Sequence, residues 1–229
     1  MVKPELEVWG YNTYRPFRIY WILHEYGLKY IAHRIGSRTG ETQTKEYLEM
    51  NAKGKIPILK HNNRIITESA AAVNYITYNY KKPEDFYIPN DAYEKAKVNE
   101  WVFFSLMELD CLVIYTLRKH EKPENRGLSN LYGEAPNAII AARDHFDRMI
   151  KACENNVPEN GWLFGKSPSV ADIMFISCLM HCDRFKIEIK SKNIENFMAK
   201  IGGEVVCHGK NFGKSWKIGL QNPFSNDTS

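Results

Sequence analysis

Over the first eighty residues, short alternating apolar runs are interleaved with helical periods, and after position 92 the pattern is almost wholly helical. Glu5–Tyr11 predicts a strand with Leu6, Val8 and Gly10 on one face. Arg15–Tyr26 carries Phe17, Ile19, Trp21, Ile22 and Leu23 and is stopped by Gly27, the signature of a helix. A strand over Lys29–Ile35 and a short helix over Gln43–Leu48 follow. Ile56–Lys60 and Arg64–Ile66 read as a hairpin across His61-Asn62-Asn63, and Glu68–Tyr80 as a helix. A polar, proline-containing stretch from Lys81-Lys82-Pro83 to Pro89-Asn90-Asp91 reads as a linker. Beyond it, Tyr93–Glu121 has Val98, Trp101, Val102, Ser105, Leu106, Leu109 and Leu112 near a 3.6-residue period. Gly133–Asn155 and the markedly apolar Val170–Phe185 are further helices, while Gly202–Ser229, rich in Gly, Lys and Asn, supports no assignment.

The order β-α-β-α-β-β-α is that of a thioredoxin-like α/β domain, here residues 1–81. Residues 82–91 are the linker, and 92–229 are expected to form an all-helical C-terminal domain. The length of 229 residues suits one large domain or two small ones. A hydrophobic content of 44% with 25% charged residues is ordinary for a soluble globular chain. The net charge of +4 is weak and no Lys/Arg run is long, so nucleic acid is not an expected partner. Asp172 interrupts the longest apolar stretch, so no membrane span is expected. The N-terminus enters a strand pattern without a signal-peptide core, and a cytoplasmic location is the expectation. The five cysteines are an odd count in apolar, helix-like context, which suits reduced core thiols.

The chemistry concentrates in NAKGKIPILKHNNRIITESAAAVNYI, Asn51 to Ile76. Pro57 inside a strand-like run removes a ladder donor and belongs at an edge or turn. The Ile56-Pro57 bond is one where a cis geometry is accessible, and it would turn the Ile56 backbone outward to pair with an extended peptide. Thr67-Glu68-Ser69 then opens an alanine-rich helix, whose N-terminus favours a carboxylate. Together these features suit a small acidic peptide. The segment resembles the glutathione site of cytosolic glutathione S-transferases, with the pattern Asn-Pro-x-Gly-Lys-(Val/Ile)-Pro-x-Leu and a Glu-Ser-x-Ala helix start. Asn51, Gly54, Lys55, Ile56, Pro57, Leu59, Glu68, Ser69 and Ala71 match it, and Ala52 departs from it. Leu163-Phe164-Gly165 and the capping box Ser169-Val170-Ala171-Asp172 are similar to the core-helix signature of the same family, where the role is folding. ELDCLVIYTLRKH and YGEAPNAIIAARDHF resemble bacterial members, and the resemblance fades after about Ile189.

The resemblance implies reduced glutathione as co-substrate, no metal, a small hydrophobic electrophile as second substrate, and a homodimer. Glutathione reacts as its thiolate, and a free thiol with pKa near ~8.5 is mostly protonated at neutral pH. Lowering that pKa by about two units corresponds to roughly 2.7 kcal/mol, within reach of a hydroxyl and helix dipoles. The donor is expected in Tyr11-Asn12-Thr13-Tyr14-Arg15-Pro16. Tyr14-Arg15-Pro16-Phe17-Arg18 resembles the bacterial Ser-Arg-x-Phe-Arg register and puts Tyr14 in the serine's place; a one-residue longer spacing would put Thr13 there. Tyr14 is the first choice and Thr13 the second, while Tyr11 at the strand end fits its class poorly. No cysteine occupies the turn, so glutathionyl exchange through a protein thiol is not expected.

By the same resemblance, Glu68 meets the peptide α-ammonium and Ser69 its α-carboxylate. Ile56 and Pro57 pair with the cysteinyl unit, Lys55 reaches the glycyl carboxylate, and Arg15 assists at the helix start. The electrophile pocket is expected near Trp101, Ser105, Met107 or Tyr115. The simpler explanations are a helix cap at Glu68-Ser69, a packing aromatic at Tyr14, and core packing for Cys178, His181 and Cys182. Two alternatives to a transferase stay open: a non-catalytic binding or scaffold protein of the same fold, and a glutathione-dependent peroxidase using the same thiolate.

Overall fold

The computed structural model describes residues 5–207, 209–211 and 214–216. These fall into two compact units, one holding the residues up to Phe86 and those from Gly202, the other Tyr87–Ile201. In the first unit the elements are β1 (Leu6–Trp9), α1 (Tyr14–Glu25), β2 (Tyr30–His33), α2 (Lys45–Met50), β3 (Ile58–His61), β4 (Arg64–Ile66) and α3 (Ser69–Asn79). The sheet order is β2-β1-β3-β4, with β1 parallel to β2 and the other pairings antiparallel. This is the thioredoxin-like arrangement, reached with the predicted element order and boundaries shifted by one or two residues.

Pleating divides β1 between two faces. Leu6 and Val8 are buried on the side of Leu59 and His61, and the His61 ring bonds Tyr75 of α3 at 2.7 Å. α1 and α3 cover that face, the latter through Ala72, Val73 and Ile76. On the opposite face Trp9 stacks on His33 and packs with Ile58, Tyr47 and Met50, so the short α2 closes a second small core. Gly10 joins the sheet to the loop before α1 at φ +127°, and a Cβ there would lie 2.8 Å from Pro16 Cγ and 3.0 Å from Ile56 Cβ. Only glycine lets β1, α1 and the Ile56 turn meet this closely.

The second unit is helical: α4 (Ala92–Phe104), a π-helical stretch (Ser105–Tyr115), α5 (Thr116–His120), α6 (Ser129–Tyr132), α7 (Pro136–Cys153), α8 (Val170–Asp183) and α9 from Lys192, whose last residues, to Cys207, pass into the first unit. The Tyr93–Glu121 helix is therefore continuous in course but not in pitch. The wider turns rotate its buried face, so Asp110, Val113 and Ile114 are buried while Leu112, placed inward by a 3.6 period, is 47% exposed. α8 is the central helix, with Ala171, Ile173, Met174, Phe175 and Cys178 wholly buried. Its N-terminus carries the predicted capping box. Beyond α9 a two-stranded antiparallel pair, β5 (Gly209–Asn211) and β6 (Lys214–Trp216), occupies part of the stretch that the sequence left unassigned. Among the described residues no helix is long and apolar enough to cross a membrane.

Candidate functional site

The loop Asn51–Lys55 is held by its own sequence. Asn51 is buried; its Nδ2 donates to the Lys55 carbonyl at 2.7 Å and its Oδ1 accepts from the Lys53 amide at 3.2 Å. Tyr47 of α2 donates its hydroxyl to the same carbonyl at 2.9 Å, and burial pushes its pKa up to about 12. The asparagine of the motif thus builds the turn that delivers Ile56. The Ile56-Pro57 peptide bond is cis. The β3 ladder starts only at Ile58, so the Ile56 backbone precedes it, and its side chain packs into the core beside Tyr47. The Lys55 side chain lies on the surface.

Two consecutive residues at the start of α3 point to different surroundings. Glu68 is the N-cap but does not cap its own helix; its carboxylate is 73% exposed and ion-paired with Lys53. Ser69, the first helical residue, is buried, and its Oγ accepts from Arg18 Nη1 at 3.2 Å. Arg18 is wholly buried. In the sequence it served only to mark register, yet its spacing to Trp21 and Ile22 put it on the buried face of α1, which was the available signal. Lys53 was missed because nothing in the chain separation of 15 residues announces the pair.

The donor turn lies between β1 and α1. Asn12 sits in the left-handed region at φ 61°, a conformation asparagine tolerates, and passes the chain into Thr13. Thr13 is the extended N-cap of α1, half-buried, and its side chain caps no amide of the helix. The first turn of α1 contains no acidic residue, and Arg15, half-buried, adds positive charge there. Tyr14 is only 6% exposed and belongs to the core of the unit. Tyr11 is 43% exposed beneath the Arg34 guanidinium, 5.1 Å from its ring centre. The structure thus brings Thr13 to the helix N-terminus and turns Tyr14 inward.

Of the residues expected near an electrophile, Trp101 lines a cleft of about 490 Å³ inside the helical unit, with Phe104, Cys153 and Phe164. Ser105 is wholly buried and Met107 is exposed. Burial pushes the Cys153 thiol up to about 12, far from a reactive thiolate. Cys178 and Cys182 are wholly buried in α8 and His181 nearly so. Among the described residues no group of three or more His, Cys, Asp or Glu side chains is placed to hold a metal ion.

Residues 4–78 match the glutathione S-transferase N-terminal domain, and residues 180–229 match the ApbE family, a stretch running from within α8 past the described residues. The chain is 26% identical over 200 residues to the glutathione S-transferase-like protein gedE of Aspergillus terreus, covering 84% of this chain and 85% of that one. It is 28% identical over 152 residues to elongation factor 1-gamma of Prunus avium, covering 65% of this chain and 33% of that protein. The theta class glutathione S-transferase of Xanthomonas axonopodis pv. citri, solved with glutathione bound, superposes with a TM-score of 0.72 at 20% identity, over 86% of this chain and 92% of that one. The cis-proline turn and the Glu68-Ser69 helix start both lie inside this matched segment, so residues 4–78 form a glutathione S-transferase N-terminal domain.

Proposed function

We propose that the chain binds reduced glutathione in its first unit and delivers the thiolate to a small electrophile, as a glutathione transferase. The observation that carries this reading is the start of α3, where an exposed carboxylate on Glu68 adjoins a serine hydroxyl on Ser69 backed by a buried guanidinium. Such a pair suits an amino acid head group, ammonium to Glu68 and α-carboxylate to Ser69 and the helix amides. The ammonium would take the place of Lys53 on Glu68. Ile56 and Pro57 would hold the cysteinyl unit by its backbone, and Lys55 would meet the glycyl carboxylate. The match to a transferase domain and the likeness to a glutathione-bound neighbour support the same ligand.

The thiol would then lie by the N-terminus of α1. Thiolate formation is favoured by a hydroxyl donor, by the helix dipole and by Arg15, with no carboxylate in the first turn to oppose it. Thr13 is the better supported donor, because its hydroxyl is at the N-cap while Tyr14 is buried. A homodimer acting in the cytoplasm is part of the same reading, and sedimentation of the purified chain tests the first of these.

The deciding experiment is the ultraviolet absorbance of bound glutathione thiolate, titrated against pH. A thiol pKa at least about one unit below that of free glutathione is expected. Binding without a shift would favour a second reading, a glutathione-binding protein without transferase activity. The burial of Tyr14, which occupies the serine register, favours that alternative, as does the similarity to a protein named for translation elongation.

A further inference from the structure

We propose that the cleft in the helical unit is a binding site for a small, uncharged, planar aromatic molecule, built by that unit alone and independent of the glutathione reading. Every residue that lines it belongs to Tyr87–Ile201, and of the positions expected round an electrophile only Trp101 is among them. Its volume of about 490 Å³ lies in the range of pockets that enclose small organic ligands.

Three aromatic rings form its walls. Trp101 and Phe104 come from α4, their rings 5.8 Å apart and nearly perpendicular. Both also pack on Phe175 of the buried α8, Trp101 at 5.0 Å and Phe104 at 6.3 Å, so the core sets their orientation. Phe164, on the loop before α8, is fixed by stacking on Tyr87 at 5.4 Å. Rings held in advance lose little freedom on binding, and offset or edge-on contact with a further ring is the geometry they favour.

The polar groups of the lining decide the charge of the ligand. Lys97 and Glu100, one turn apart on α4, are ion-paired with each other and present no net charge. Cys153 is buried, donates its thiol to the Ile150 carbonyl at 3.5 Å, and keeps its proton because burial raises its pKa. A charged ligand would give up hydration without meeting an unpaired charge in the lining, whereas a neutral ring gives up little. The exposed Asn156 carboxamide offers a hydrogen bond to a hydroxyl, amine or carbonyl on such a ring.

The alternative is a solvent-filled gap between helix ends, which would take up such a molecule no better than any apolar surface. Fluorescence titration and calorimetry of the full chain distinguish the two. N-phenyl-1-naphthylamine is the neutral probe, and its 8-sulfonate carries the same rings with a negative charge. One neutral molecule per chain is expected, with a Kd of about 10–100 µM, and the sulfonate should bind at least about fivefold more weakly. Ala152→Phe, at an exposed lining position near the end of α7, should fill the cleft and weaken the neutral probe at least about tenfold. Asn156→Trp, on the exposed rim beyond α7, is a second filling substitution with the same expected loss. Saturating glutathione should leave the probe's affinity within about twofold. Absence of saturable binding, binding that neither substitution weakens, or a sulfonate bound as tightly as the neutral probe overturns the inference. Displacement of the probe by glutathione overturns it as well, by making the cleft part of the peptide's own site.

Discussion

Replacing Asp172 with alanine should destabilise the helical unit by an amount that depends on pH in a predictable direction. The carboxylate is wholly buried at the N-terminus of α8 and is the hub of its cap. Oδ2 accepts from the Ser169 amide at 2.9 Å and the Ser169 hydroxyl at 2.6 Å, while Oδ1 accepts from the Leu163 amide at 2.8 Å. Asp172 therefore fastens the loop before α8 as well as the helix end. Alanine leaves two backbone donors and one hydroxyl without that acceptor, at about 1–3 kcal/mol for each buried donor not re-solvated. Leu163 is only half-buried and its amide can recover water, so a loss of about 3 kcal/mol at pH 8 is expected. At this chain length that corresponds to roughly 10 °C in Tm.

Burial pushes the Asp172 carboxyl up to about 6, outweighing the hydrogen bonds that pull it down. Its folded pKa thus exceeds the unfolded value, near ~3.9, and the native state binds more protons between the two. Stability from this residue therefore falls as pH rises from about 4 to 6, so the folded wild type gains on the order of 1 kcal/mol between pH 8 and pH 5 that the variant lacks. The loss caused by Asp172→Ala should grow by that amount on acidification. Urea unfolding followed by tryptophan fluorescence at the two pH values measures both quantities. A loss under about 1 kcal/mol at pH 8, or one that shrinks at pH 5, would refute the reasoning.

Gly10→Ala should cost about 2–3 kcal/mol, because its φ of +127° and the 2.8 Å approach to Pro16 leave no room for a methyl group; thermal melting reads this, and an unchanged Tm contradicts the close packing. Ser69→Ala should weaken glutathione binding about fivefold or more in calorimetry, and unchanged affinity would remove the proposed placement of the α-carboxylate. Thr13→Ala should raise the pKa of the bound thiol by about one unit with affinity nearly intact, whereas Tyr14→Phe should leave it in place. The reverse result would return the catalytic role to Tyr14.

The first unit was legible because its signals are local. Alternation in Glu5–Tyr11, a glycine stop at Gly27 and a proline at 57 each act within a few residues, and the sheet they predict is the sheet observed. The capping box was legible for the same reason, since Ser169 and Asp172 are three residues apart. The contacts that shape the site were not. Arg18 to Ser69 and Lys53 to Glu68 join residues far apart in the chain, and composition contains no trace of either. The π-helical stretch also escaped notice. Ser105–Tyr115 is apolar enough to satisfy a 3.6-residue period, and only tertiary packing brings Asp110 inward and Leu112 outward.

The donor turn shows how register and geometry can separate. Counting back from Arg18 assigns the serine's place to Tyr14, because a pattern counts positions and takes no account of side-chain size. A serine there could keep its hydroxyl beside the backbone at a helix start. A tyrosine carries its hydroxyl at the far end of its ring, several ångströms from the backbone. Tyr14 is buried, and the proposed reading therefore gives the donor's place to Thr13. Thr13, one residue earlier, has the short hydroxyl, the extended N-cap backbone and no competing capping bond. On the proposed reading the binding half and the activating half of the site are separable: Glu68 and Ser69 would hold a peptide whether or not its thiol is ionised. The pKa of that thiol in Thr13→Ala and Tyr14→Phe, and not peptide affinity, is what distinguishes an enzyme from a binding protein on this fold.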